Sequence, residues 1–164
     1  LGIVGLGGIG TEVAAIARSL GMHVIGWNRS GIASEIPCDY CELDDLMAQA
    51  DVVSLHLALC DETYGLIGSK RLALMKSGAI LVNTARSQLI DEQALMAAVS
   101  DGKIIAALDV FHQEPIPLTS SIVKSSNVVL SSHSGWYTRE AISRLLSMGF
   151  EVMREEIDLL NKKF

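Results

Sequence analysis

Gly5-Leu6-Gly7-Gly8-Ile9-Gly10 is a G-x-G-x-x-G run set between an apolar segment, Leu1-Gly2-Ile3-Val4, and a stretch with helical periodicity. In that context the residue types can hold a pyrophosphate. Gly5 makes the tight turn, Gly7 lets the backbone approach the phosphates, and Gly10 lets the helix pack close to the strand. The helix N-terminus adds free N–H groups and the positive end of its dipole. A glycine-rich turn that only joins two elements is the alternative, and the strand before and helix after argue against it. About twenty residues on, such a pattern usually carries an Asp or Glu that binds both adenine-ribose hydroxyls and repels a 2′-phosphate. This sequence has Trp27-Asn28-Arg29-Ser30 instead. Asn28 removes the repelling charge, Arg29 offers a cation with fork geometry and Ser30 a hydroxyl, so the pattern favours NADP over NAD. Arg29 pointing into solvent, or stacking on adenine in an enzyme that uses either cofactor, is the competing reading.

Three further segments carry chemistry-bearing side chains: Val82-Asn83-Thr84-Ala85-Arg86, Leu108-Asp109-Val110-Phe111-His112-Gln113-Glu114-Pro115, and Ser132-His133-Ser134-Gly135-Trp136. Each follows an apolar run. If the runs are neighbouring strands of one sheet, an Arg, a Glu and a His can meet a small substrate in one crevice. Singly, Arg86 could be a surface ion-pair residue, His133 a satisfied loop histidine and Glu114 a turn residue before Pro115. Together, at three successive strand ends, they point to a site.

The elements that must position these residues are legible in the periodicity. Strands are expected at about 1–5, 22–27, 51–56, 79–83, 104–109 and 127–131, with a short one near 38–41. Their nearly continuous apolar runs resemble a parallel sheet buried on both faces. Helices are expected at 8–20, with Ile9, Val13, Ile16, Ala17 and Leu20 on one face, and at 42–49, 69–75 and 91–100. Asp91 is the N-cap and Gly102 the stop of the last of these. Residues 137–161 repeat apolar positions at Ile142, Leu146, Met153, Ile157 and Leu160, which predicts one long amphipathic helix. Residues 112–121 form the longest polar loop. Strict alternation of strand and helix predicts an α/β fold: a Rossmann-type doubly wound parallel sheet of six to seven strands, in three layers, with ligands beyond the carboxyl ends of the strands.

Bulk properties agree. The 164 residues suit one domain over 1–164, with 49% apolar and 20% charged residues. The absence of a long apolar run argues against a membrane span. A formal charge of −6 without a basic run argues against nucleic acid as the main partner. Cys38, Cys41 and Cys60 leave one thiol unpaired in any disulfide scheme, which suits the cytoplasm. Cys38-Asp39-Tyr40-Cys41 is a C-x-x-C pair with no partner at metal spacing, so no metal site is expected and a short strand is the plainer reading. The sequence opens inside a strand without Met, which reads as a cut chain.

The ordered motifs resemble the cofactor domain of the D-isomer-specific 2-hydroxyacid dehydrogenases, over essentially the whole sequence. The resemblance rests on Gly5 to Gly10, Asp51-Val52-Val53-Ser54-Leu55-His56-Leu57, Glu62-Thr63 with Gly65-Leu66-Ile67, Leu74-Met75-Lys76-Ser77-Gly78-Ala79, and the Arg86, Asp109 to Pro115 and His133 segments. It implies hydride transfer between NAD(P)H and a small 2-keto or D-2-hydroxy acid. By the same resemblance His133 is the general acid, Glu114 its carboxylate partner and Arg86 the residue that binds the substrate carboxylate. A carboxylate beside an imidazole favours the charged donor, and a guanidinium is permanently charged. Asp109 holds the nicotinamide carboxamide, and Leu57, Thr84, Ala85 and Gly135 line the cofactor. Ala58, Cys60, Gln88 and Ser132 depart from the family pattern without touching a catalytic atom.

The resemblance also implies a second, substrate-binding domain built from chain before and after this segment, and a homodimer formed through the cofactor domain. The isolated segment is then expected to bind cofactor with little or no turnover, and to self-associate through faces that the other domain would cover. A non-enzymatic dinucleotide-sensing or corepressor module of the same fold is the alternative, and Arg86, Glu114 and His133 argue against it. A short-chain dehydrogenase needs Tyr-x-x-x-Lys, whereas Tyr40, Tyr64 and Tyr137 are followed four residues later by Asp44, Gly68 and Ala141.

Overall fold

The computed structural model describes residues 1–31, 36 and 38–161. Its elements alternate as the periodicity predicts: β1 (Gly2–Val4), α1 (Gly8–Ser19), β2 (Ile25–Trp27), β3 (Asp39–Tyr40), α2 (Leu43–Gln49), β4 (Val52–Leu55), α3 (Ser69–Leu74), β5 (Ala79–Asn83), α4 (Glu92–Ser100), β6 (Ile104–Leu108), α5 (Ser121–Lys124), β7 (Val128–Leu130) and α6 (Arg139–Asn161). The seven strands form one parallel sheet in the order β3-β2-β1-β4-β5-β6-β7. The order reverses between β1 and β4, so the loops after these two strands part in opposite directions and leave a crevice at the sheet's carboxyl edge.

Two elements have no counterpart in the sequence reading: a 3₁₀ turn at Ser87–Leu89 and the single-turn α5. Both are shorter than one apolar repeat, so periodicity carries no signal for them. The α4 start is as expected, with the Asp91 side chain accepting from the Ala94 amide at 2.8 Å. Gly102 takes the left-handed conformation just beyond the helix, at φ 67°.

Residues 1–132 form one compact unit and 133–164 another. In the first unit, alternate side chains of β1, and of β2 with the residue before it, enter different clusters. Ile3 and Val24 pack with Ala14 and Ala17 of α1, while Val4 and Ile25 join the larger cluster under α2, α3 and α4. The expectation of a sheet buried on both faces therefore holds at β1 and β2 and fails at β6 and β7. There Ile104 and Ala106 are fully buried, but Ile105 and Val129 are exposed. Within this unit the α1-side cluster ends at β1 and β2, and its described residues do not extend over β6.

The α1 face also needs correction. Of its expected face Ala17 is buried and Val13 packs partly against the core, but Ile9, Ile16 and Leu20 are 71%, 58% and 76% exposed, and Gly10 and Ala14 are buried instead. Small side chains let the helix backbone approach the sheet, which turns the bulky stripe outward. The second unit is a turn at 133–138 followed by α6, whose Leu146, Met153, Ile157 and Leu160 are each more than half exposed. No described helix is long and apolar enough to cross a membrane.

Candidate functional site

Gly5 leaves β1 at φ 100°, and its amide donates to the Trp27 carbonyl at 2.8 Å. A Cβ on Gly5 would lie 2.8 Å from the His56 carbonyl carbon, and one on Gly10 would press into the Gly5 carbonyl oxygen. These two glycines are dictated by the chain's own packing. Gly7 and Gly8 differ: a Cβ on either would meet no atom within 4 Å. Gly7 is the N-cap of α1 and offers no side-chain acceptor to the first-turn amides. The turn thus presents unshielded N–H groups on open ground, a donor set that fits a pyrophosphate.

Beside it lies a cleft of about 450 Å³ lined by Ile9, His56, Leu57, Ala58, Leu59, Thr84, Ala85 and Arg86. Ile9, Leu57, Thr84, Ala85 and Arg86, drawn from three loops, are therefore brought together as expected. Asn83, at the end of β5, explains how the last three are held. Its side chain is 1% exposed, accepts from the Ala85 amide at 3.0 Å and donates to the Arg86 carbonyl at 2.9 Å. This Asx-type clamp fixes the turn that carries Arg86. The exposed Arg86 guanidinium also donates to the Ala85 carbonyl at 2.6 Å. His56 shares a 2.9 Å hydrogen bond with Ser54, and burial pushes its pKa below the ordinary imidazole value, so it is held neutral.

On the other side of the glycine turn, the Asn28 side chain accepts from the Leu6 amide at 3.5 Å and donates to Ser30 Oγ at 2.9 Å and the Gly31 carbonyl at 3.3 Å. It ties the loop after β2 to the glycine turn. Arg29 Nη1 lies 3.3 Å from Glu62 Oε2, so the guanidinium is engaged and not simply pointing into solvent. The loop after β4 that supplies Glu62 is fixed by Thr63, whose buried hydroxyl accepts from the Cys60 amide and donates to the Ala58 carbonyl, both at 2.8 Å.

At the end of β6, Asp109 is buried and accepts a 2.5 Å hydrogen bond from Ser131 Oγ. Glu114 is exposed, and its Oε1 accepts from the Phe111 amide at 2.9 Å, closing the turn that begins the loop. Neither residue lines the cleft. A separate hollow of about 250 Å³ lies at the ends of β5 and β6, walled by Phe111, His112 and Ile116 among others. His112 is exposed. His133 and Gly135 belong to the second unit. His133 has φ 53°, a left-handed conformation uncommon outside glycine, and its carbonyl accepts from Trp136 Nε1 at 2.9 Å. Trp136 and Tyr137 meet edge to face at 5.3 Å, and both are more than half exposed.

Cys38 and Cys41 flank β3 as free thiols whose pKa values burial pushes up, so both are less reactive than an ordinary cysteine. Asn83, Thr63, Ser131 and Glu62 are supporting residues to which sequence reasoning gave no role. Asn at the last position of a strand is a recognisable turn signal for the first; the other three act across 3 to 33 residues of chain and leave none.

The family model for "D-isomer specific 2-hydroxyacid dehydrogenase, NAD binding domain" matches residues 1–135. A glyoxylate reductase of Korarchaeum cryptofilum is 43% identical over 152 residues, covering 90% of this chain and 46% of that protein. An acyclic imino acid reductase solved with NADPH and D-Arg superposes with TM-score 0.89 at 34% identity, over 96% of this chain and 50% of its own. A D-lactate dehydrogenase from Lactobacillus jensenii solved with NAD+ gives TM-score 0.83 at 28% identity, over 92% and 50%. The chain therefore spans about half the length of the relatives it matches.

Proposed function

The chain belongs to the D-isomer specific 2-hydroxyacid dehydrogenases, as an NAD(P)-binding domain, and on that premise we propose that it serves an enzyme reducing a small 2-keto acid to its D-2-hydroxy acid. The observation that carries the reading is the cleft at the switch point, where Ile9, Leu57, Thr84, Ala85 and Arg86 line one space beside the open glycine turn. A bound nicotinamide supplies the hydride. The chain's own residues do the rest. Arg86, on its clamped turn, binds the substrate carboxylate with a charge that does not titrate. Asp109, held by Ser131, would hold the nicotinamide carboxamide. His133 donates the proton that the new alkoxide needs, and Glu114 favours its charged form.

The Asn28-Arg29-Ser30 cluster supports NADP as the preferred cofactor: Asn28 stands directly after β2 where a carboxylate would repel a 2′-phosphate, and a guanidinium and a hydroxyl follow it. We assign to the whole protein a substrate-binding domain, a homodimer contact through this domain and a cytoplasmic setting. The test is hydride transfer by the full-length protein, followed as loss of reduced-cofactor absorbance with glyoxylate or hydroxypyruvate. Turnover with either supports the reading. Tight cofactor binding without oxidation by any 2-keto acid would sink it.

A further inference from the structure

Arg29 is the one cation in the loop after β2, and the chain already holds it. In the sheet order β2 and β4 lie on either side of β1, so an ion pair from Arg29 to Glu62 passes over the glycine turn from one flanking loop to the other. Arg29 Nη1 is 3.3 Å from Glu62 Oε2 and 3.9 Å from Cys60 Sγ. Both charged side chains remain about two-thirds exposed, at 64% and 65%, so a ligand can reach either. The loop that carries Glu62 is held in place, because the Thr63 hydroxyl accepts from the Cys60 amide and donates to the Ala58 carbonyl.

We propose that Glu62 is a specificity-determining residue that competes with the cofactor's 2′-phosphate for Arg29 and holds the preference for NADP to a modest level. The proposal rests on the assignment of Arg29 to that phosphate. A dianionic phosphate must share or displace the Glu62 carboxylate and lies close to its negative charge, whereas a ribose without phosphate leaves the pair intact. Glu62 therefore weakens the binding of NADPH and is nearly silent toward NADH. The site fits either cofactor, with discrimination set by the balance of two carboxylate oxygens and three phosphate oxygens around one guanidinium.

The test is direct titration of the full-length protein with NADPH, NADH and adenosine 2′-monophosphate, followed by protein fluorescence or calorimetry. The proteins are wild type, Glu62→Gln, Arg29→Ala and the double variant, with thermal unfolding as a check that each is folded. Glu62→Gln is expected to tighten NADPH and adenosine 2′-monophosphate roughly threefold to tenfold, to leave NADH unchanged, and to lose most of that gain in high salt. With Arg29→Ala already present, Glu62→Gln is expected to add little beyond the relief of charge repulsion, and the preference for NADPH is gone. Weaker NADPH binding in Glu62→Gln would mean that Glu62 orients Arg29 and would overturn the proposal, as would no change or an equal change in NADH. If Arg29→Ala keeps the wild-type preference, the phosphate assignment itself falls and takes the proposal with it. If Arg29→Ala loses the preference while Glu62→Gln behaves as wild type, the role of Glu62 alone is refuted.

Discussion

Replacing Asn83 with Leu should loosen the turn that carries Arg86 and destabilise the sheet edge beneath it. The side chain is 1% exposed and makes two hydrogen bonds, one to the Ala85 amide and one to the Arg86 carbonyl. Leu keeps the volume and removes both. A buried group that loses its partner costs about 1–3 kcal/mol. Ala85 is half-buried and Arg86 exposed, so water partly compensates and the sum is about 2–3 kcal/mol. In urea the midpoint should fall with no change in slope.

Asn83→Asp separates the two bonds. The carboxylate can still accept from the Ala85 amide but turns a second oxygen toward the Arg86 carbonyl. Burial raises the pKa of that carboxyl in the folded protein, so the folded state binds the proton more tightly than the unfolded one. Its deficit should therefore shrink as pH falls through the raised pKa, when the protonated acid can donate to the carbonyl, and grow again as pH rises. The KM for the 2-keto acid should rise about tenfold in both variants at pH 8, because Arg86 no longer sits in one place. A Leu variant within about 0.5 kcal/mol of wild type, well below the cost of two lost buried bonds, or equal deficits for Asp and Leu at every pH, would refute the clamp.

Gly7→Ala and Gly10→Ala should fail in opposite ways. The first meets nothing in the chain and should unfold like wild type while binding cofactor at least about tenfold more weakly. The second drives a methyl into the Gly5 carbonyl and should cost about 1–3 kcal/mol of stability in the same urea assay. Ser131→Ala removes a hydrogen bond to a buried carboxylate and should cost about 1.5–3 kcal/mol, with weaker cofactor binding by titration. His56 has its pKa lowered by burial, so below the unfolded imidazole value of 6.5 the unfolded chain binds the extra proton. Stability should be full above that pH and decline as pH falls toward the lowered folded value, and His56→Gln should flatten the decline.

The strands and the glycine turn were legible because a buried parallel strand is nearly all apolar and a pyrophosphate turn needs glycine at set spacing. What sequence spacing concealed was direction and partnership. The i, i+4 stripe of α1 put Ile9, Val13, Ile16, Ala17 and Leu20 on one face; of these Ala17 is buried and Val13 packs partly against the core, while Gly10 and Ala14 take the places of Ile9, Ile16 and Leu20, since close helix approach selects for small volume over hydrophobicity. Arg29 announced itself as a phosphate ligand, and only the fold revealed a carboxylate waiting 33 residues along the chain. Glu114 closes its own turn through the Phe111 amide, a local bond that a general role for a carboxylate does not predict.

The sheet order has a consequence for how such a domain can change. Asn28 to Ser30 follow β2 and Asn83 to Arg86 follow β5, with β1 and β4 between them. Three strand spacings of about 4.8 Å put the two groups roughly 14 Å apart, beyond the range at which substitutions usually couple. Changes that re-tune cofactor choice at one end should then add to, and not interfere with, changes in substrate binding at the other. A lineage could drift from one nicotinamide cofactor to the other by single steps near Arg29 and Glu62 while its chemistry stayed constant, which makes cofactor preference a poor marker of ancestry among proteins built on this sheet.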